Sequence, residues 1–196
     1  MRPFDSAQGR RLVLVRHSVP EIEREVPAAS WQLSEAGKTR AAAFARQLDP
    51  GSARTIFTSE EPKALETARA LASVWALPVE AVPGLQEHER PVAQILTRER
   101  FEERIRQMFA RPLEPVFGTE TAEHARRRFS LALMRLIARS ADDVVAVSHG
   151  TVMTLFVAEA TGVAPFALWK SLEMPCAVTL TIPGLQITGA ILRPLS

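Results

Sequence analysis

Two short apolar runs each end in a histidine, Val15-Arg16-His17 and Val147-Ser148-His149. A neutral imidazole is a nucleophile and a base, and a protonated one is an acid and a cation, all near neutral pH. In an open α/β sheet, ligands sit in the crevice beyond the carboxyl ends of the strands. Two strand-end histidines from far apart in the chain therefore converge on one crevice. No other nucleophile competes. The chain has no G-x-S-x-G elbow, no glycine-rich Walker loop and no H-E-x-x-H pair.

The elements that must hold these two residues follow from pattern. Arg11–Val15 and Val144–Val147 are continuous apolar runs, the mark of strands buried on both faces. Thr55–Thr58 and Val79–Val82 add two more strands. Ser34 caps a helix to about Leu48, with Ala36, Ala43, Phe44 and Leu48 inward, and Asp49-Pro50-Gly51 stops it. Ser59 opens a helix through Trp75, with Pro62 in its first turn. A helix spans Gln94–Arg111, with Ile95, Phe101, Ile105 and Met108 on one face. Thr119 or Thr121 caps another to Arg139. Further helices cover Thr151–Ala160 and Phe166–Leu172. Ala177–Ile182 and Gln186–Leu192, split by Pro183-Gly184, read as a hairpin. The alternation predicts an α/β three-layer sandwich, a mostly parallel central sheet with helices on both faces. All 196 residues form one domain, with 83–118 as an insertion over the site.

Composition excludes several classes. A net charge of +2 argues for neither nucleic-acid nor membrane binding. No run approaches the ~20 apolar residues that cross a bilayer. The first eleven residues lack an apolar signal core, so a cytoplasmic protein is expected. The single cysteine, Cys176, lies in an apolar run and reads as a buried strand residue. No carboxylate cluster suggests a metal, and no cofactor is expected.

These pieces together resemble the histidine phosphatase superfamily, the phosphoglycerate-mutase-like proteins. Arg16-His17 after an apolar strand is similar to the family's first motif, and Ser148-His149-Gly150 to its second. Leu33-Ser34-x-x-Gly37, then Thr58-Ser59 with Lys63-Ala64 and Thr67-Ala68, then Leu85-Gln86-Glu87, then Glu120-Thr121-x-Glu123, follow in the family's order between Leu12 and Gly162. The resemblance implies a phosphohydrolase that acts on a small phosphomonoester. His17 would take the phosphoryl group as a phosphohistidine, with its other ring nitrogen tied to backbone. Arg16, Lys63 and His149 would supply the positive field on the phosphoryl oxygens. The backbone at Gly150 and Thr151, at a helix start, would donate to phosphate. Glu87 would be the acid that protonates the leaving alkoxide, with Glu89 as the competing candidate.

Two positions depart from the family pattern. Ser18 stands where Gly is usual and would line or narrow the pocket. Lys63 stands where Arg is usual, keeping the charge but losing the planar fork. These departures leave open a weakly active or inactive phosphate-binding relative. A phosphoglycerate-mutase-type transfer is the other alternative, disfavoured by a loop after Ser18 without the expected Ser and Asn. His88 reads as solvent-facing or substrate-lining, and His124 as solvated. Arg98–Arg111, interleaved with Glu99, Glu102 and Glu103, reads as a salt-bridged surface from which one arginine could reach the pocket. Of Trp31, Trp75 and Trp169, only Trp31 is a candidate pocket wall. The expected partner is a small phosphorylated substrate. The C-terminal hairpin offers a sheet edge through which a homodimer could pair.

Overall fold

The computed structural model describes residues 9–24, 26–90 and 96–194. Five strands form one sheet: β1 (Arg11–Arg16), β2 (Ile56–Thr58), β3 (Val79–Ala81), β4 (Val144–Ser148) and β5 (Cys176–Thr181). The order is β3-β2-β4-β1-β5, parallel except for β5, which runs antiparallel to β1. Among the described residues the α-helices are α1 (Glu35–Ala45), α2 (Pro62–Trp75), α3 (Arg98–Ala110), α4 (Ala122–Arg139), α5 (Gly150–Thr161) and α6 (Pro165–Ser171). This is the expected α/β sandwich.

Strand alternation builds the layers. Val13, Val15, Val145 and Val147 face α1 and α2 in one core. Leu12, Leu14, Val144 and Ala146 face the other core, with Phe129 of α4 and Val152 and Phe156 of α5. The central strands β1 and β4 thus bury both faces, which is why they read as unbroken apolar runs.

Several boundaries differ from the sequence reading. Ser34 caps α1 by accepting from the Gly37 amide, and Thr121 caps α4 by accepting from the His124 amide. The inward face of α1, however, is Gly37, Ala41, Phe44 and Ala45; Ala36 and Ala43 are exposed. Alanine at most positions gives α1 no apolar contrast, so packing chose the face. The N-cap of α2 is Glu61, not Ser59, because Pro62 occupies the first helical turn. α3 starts after the Thr97 cap; the expected start at Gln94 and inward Ile95 lie outside the described residues. The second arm of the expected hairpin is not a strand. It meets β5 through two isolated bridges, Ala177–Leu192 and Leu180–Ile187, and through the Thr188 amide donating to the Thr179 carbonyl at 2.8 Å, and these partly cover the β5 edge. Cys176 is buried, and burial pushes its thiol up to about 12, so it is inert. Among the described residues, no helix is long and apolar enough to cross a membrane.

Candidate active site

β1 and β4 are adjacent, parallel and in register, with Arg16 opposite Ser148. The residues that follow them are therefore neighbours. The His17 amide donates to the Ser148 carbonyl at 2.9 Å. The His17 and His149 rings meet edge to face, centroids 5.1 Å apart at 60°. The expected convergence of the two imidazoles is met, at the carboxyl end of the sheet.

Each ring is set by its surroundings. His17 Nδ1 lies 2.7 Å from the Ser18 carbonyl, an acceptor only, so Nδ1 carries the hydrogen and Nε2 keeps its lone pair. His149 Nε2 pairs with Ser59 Oγ at 2.9 Å, and its buried Nδ1 has no partner among the described residues. Burial, then the charges of neighbouring groups, hold both rings well below the usual histidine range. Both are neutral at pH 7. A neutral ring with a free Nε2 lone pair is chemically a nucleophile or base, and an anion beside His149 would favour its protonated form.

A cavity of about 730 Å³ opens above His17; His149 is fully buried behind that ring and does not line the cavity. Arg16 lines it, donating through one guanidinium nitrogen to the Leu172 carbonyl, while its buried Nε has no partner among the described residues. A Cβ on Gly150 would sit 3.0 Å from the Arg16 guanidinium carbon, so glycine here makes room for that side chain. Lys63 lines the cavity too and is buried, not solvated. It donates to the Ala28 carbonyl at 2.6 Å and pairs with buried Glu61.

Glu87 also lines the cavity, and it is not a free acid. Its carboxylate accepts from the amides of Thr151 and Val152, both at 3.2 Å, at the first turn of α5. Burial alone would raise its pKa, but Arg90, His149 and the backbone amides outweigh burial and hold it at about 2. The Thr151 amide expected to meet phosphate thus holds Glu87, and the Thr151 hydroxyl accepts from Arg90 at 3.2 Å. Glu89 is exposed at the rim.

Ser18 requires a correction. Its hydroxyl donates to the Gly37 carbonyl at 2.7 Å and its amide to Thr67 Oγ1 at 3.0 Å. It is fully buried between β1 and the α1–α2 layer and does not line the cavity. Extended backbone alternates side-chain direction, so the residue after a cavity-facing His17 points the other way.

Four cavity residues were missed in the sequence. Glu61 neutralises Lys63 and lies 3.5 Å from His149 Nε2. Arg90 pairs with Glu87 at 3.5 Å, its guanidinium 5.4 and 5.1 Å from the Phe101 and Phe117 ring centres. Arg128 pairs with buried Glu120 and donates to the Gln86 and Glu87 carbonyls, holding the strand–loop segment that carries Glu87. Trp169 joins Trp31 as wall. Only spacing could have pointed to Glu61, two residues before Lys63 and capping the same helix. No arginine of α3 lines the cavity. His88 is buried rather than solvent-facing, and it lines the cavity with Nε2 on the Glu120 carbonyl at 2.7 Å. His124 is exposed, as expected.

Comparison with known proteins agrees with this geometry. The native mycobacterial glucosyl-3-phosphoglycerate phosphatase superposes with a TM-score of 0.72 at 22% identity, covering 96% of this chain and 100% of that one. Bacillus stearothermophilus YhfR gives 0.72 at 20% identity, covering 95% and 98%. Entamoeba histolytica phosphoserine phosphatase, solved with 3-phosphoglyceric acid, gives 0.73 at 18% identity, covering 94% and 97%. These likenesses show the shared fold. No curated protein matches in sequence. The model of the histidine phosphatase superfamily (branch 1) matches residues 12–184, nearly the whole chain, with both strand-end histidines inside the match. The chain belongs to the histidine phosphatase superfamily, branch 1.

Proposed function

We propose that this member is a phosphoric monoester hydrolase working through a phosphohistidine on His17. One observation carries the reading: His17 keeps Nε2 unprotonated, by giving its Nδ1 hydrogen to Ser18, on the floor of a cavity beside His149 and Arg16.

The chemistry divides into two displacements. In the first, the Nε2 lone pair forms an N–P bond while the ester O–P bond breaks. The leaving alkoxide takes a proton from Glu87. In the second, water attacks phosphorus and returns its proton to Glu87. The N–P bond breaks, and inorganic phosphate leaves. Arg16, Lys63 and His149 face the phosphoryl oxygens and stabilise the charge that develops on them. A phosphate dianion raises the pKa of His149, so the ring enters the reaction charged. The same dianion competes with Glu87 for the α5 amides and, as a like charge, raises its pKa too. Binding thereby makes Glu87 easier to protonate, without breaking its pairing with Arg90.

The partner is a phosphorylated small molecule, and segment 83–118, which supplies Glu87, Arg90 and Phe101 to the cavity, carries specificity. A cytoplasmic site accords with a lone, buried cysteine and no internal disulfide. The test is a phosphatase screen on phosphomonoesters with His17→Ala beside the wild type. A quench with labelled substrate should trap an acid-labile, base-stable phosphoryl group on the wild type alone. Equal turnover by His17→Ala would end the reading.

A further inference from the structure

Charge is balanced around the cavity in an unusual way. Its described lining contains four cations, Arg16, Lys63, Arg90 and Arg128. It also contains four carboxylates: Glu61, Glu87, Glu89 and Glu120. Three of the cations are committed. Lys63 pairs with Glu61, Arg90 with Glu87 and Arg128 with Glu120. Arg16 alone has no carboxylate within ion-pair distance among the described residues; it donates to a carbonyl, beside the histidines. The one uncommitted positive charge therefore lies at the phosphate end. Beyond it the ion pairs cancel, and Glu89 at the rim adds negative charge.

Apart from Gln86, His88 and Thr151, the remaining wall is apolar. Val19, Ile22, Trp31, Phe101, Trp169 and Met174 line the same cavity as His17. Trp169 lies 5.9 Å from Phe101, ring centre to ring centre, so the two form one aromatic surface. Ile22 stands at the mouth, 62% exposed to solvent. A volume of about 730 Å³ falls in the range of whole small-molecule sites, far beyond one phosphoryl group.

We propose that the substrate is a phosphomonoester whose alcohol is uncharged and largely apolar, such as an arylalkyl or alkyl phosphate. This rests on the phosphohydrolase reading above and narrows it. A second anionic group on the substrate, a carboxylate or another phosphate, would enter a region whose cations are already paired. Its desolvation would go uncompensated, or an existing ion pair would have to break. An apolar alcohol gains contact with the aromatic wall instead.

The experiment compares esters of alcohols with similar basicity, so that intrinsic reactivity does not decide the ranking. Benzyl and hexyl phosphate are set against glycerol phosphate, 3-phosphoglycerate and O-phosphoserine, with His17→Ala as the blank. The expected result is a kcat/KM for benzyl and hexyl phosphate at least about tenfold above that for the two carboxylate-bearing esters. Ile22→Ser, at an exposed position that does not threaten folding, should raise KM for hexyl phosphate several-fold more than KM for glycerol phosphate. Turnover of 3-phosphoglycerate or O-phosphoserine within that factor of the apolar esters overturns the proposal and leaves the phosphohydrolase reading standing. No ester turned over above the His17→Ala blank overturns both.

Discussion

Glu61 holds one carboxylate oxygen 3.5 Å from His149 Nε2 while its other oxygen pairs with Lys63. A single buried carboxylate thus contacts two of the groups proposed to face the phosphoryl oxygens. Glu61→Gln removes the charge that favours protonated His149. The alkaline limb of the kcat profile should move down by about one pH unit. The same change leaves Lys63 buried without a counter-charge, which should cost about 3 kcal/mol of stability, read from chemical denaturation. The double variant Glu61→Leu/Lys63→Met should recover much of that stability and none of the activity. An unmoved limb in a folded Glu61→Gln protein would remove Glu61 from the site's electrostatics.

Glu87 is tied to the α5 amides and held at about 2, yet it is assigned the proton that the leaving group takes. Glu87→Gln should therefore discriminate by leaving group. Alkyl phosphates, whose alkoxides need the proton, should lose about 10² to 10⁴ in kcat. p-Nitrophenyl phosphate, whose phenolate leaves unaided, should lose less than about tenfold. Equal losses on both would assign Glu87 to positioning rather than to proton transfer.

Ser18 sends its hydroxyl into the α1 side of the sheet, away from the cavity. Ser18→Ala should cost about 1 kcal/mol, one buried hydrogen bond. Steady-state kcat/KM should stay within about twofold, since catalysis uses the Ser18 carbonyl, which alanine keeps. A large kinetic loss without a stability loss would return Ser18 to the pocket. Gly37 is less forgiving. A Cβ there would sit 2.0 Å from the Val19 carbonyl oxygen, so Gly37→Ala must displace the segment that follows His17.

Stability should depend on pH through the buried imidazoles of His17 and His149, with His88, also lowered by burial, adding to the same slope. Burial first, then His149 beside His17 and Lys63 beside His149, keep both pKa values well below 6.5 in the fold. The unfolded chain therefore takes up protons first as pH falls through about 6.5, and stability drops from there downward. The limit is about 1.4 kcal/mol per pH unit for each ring. Glu87 acts in a lower window: its contribution is complete above its ordinary 4.5 and fades toward its folded value of about 2. Thermal melts between pH 7 and 5 should show the histidine slope, and His149→Asn should make it clearly shallower. A flat profile in the wild type would mean that the rings are charged in the fold.

Much of this molecule was legible from the residues in order. The runs at Leu12–Val15 and Val144–Val147, the caps at Ser34 and Thr121, and the histidine at the end of each run depend on local pattern. Hydrophobic alternation and capping act between residues a few positions apart, and the chain writes them plainly. Register then did the rest: once β1 and β4 pair in parallel, His17 and His149 can only be neighbours. The inward face of α1 was not legible, because a run of alanines carries no contrast until something packs on it. Nor were the partners of Lys63, Arg16 and Glu87. An ion pair or a helix-end hydrogen bond forms through space, between groups from elements that the sequence separates, and its strength depends on distance and burial, which only the folded chain sets. The order of residues therefore placed two histidines at adjacent strand ends, and the three-dimensional arrangement determined how much charge the cavity leaves for a substrate.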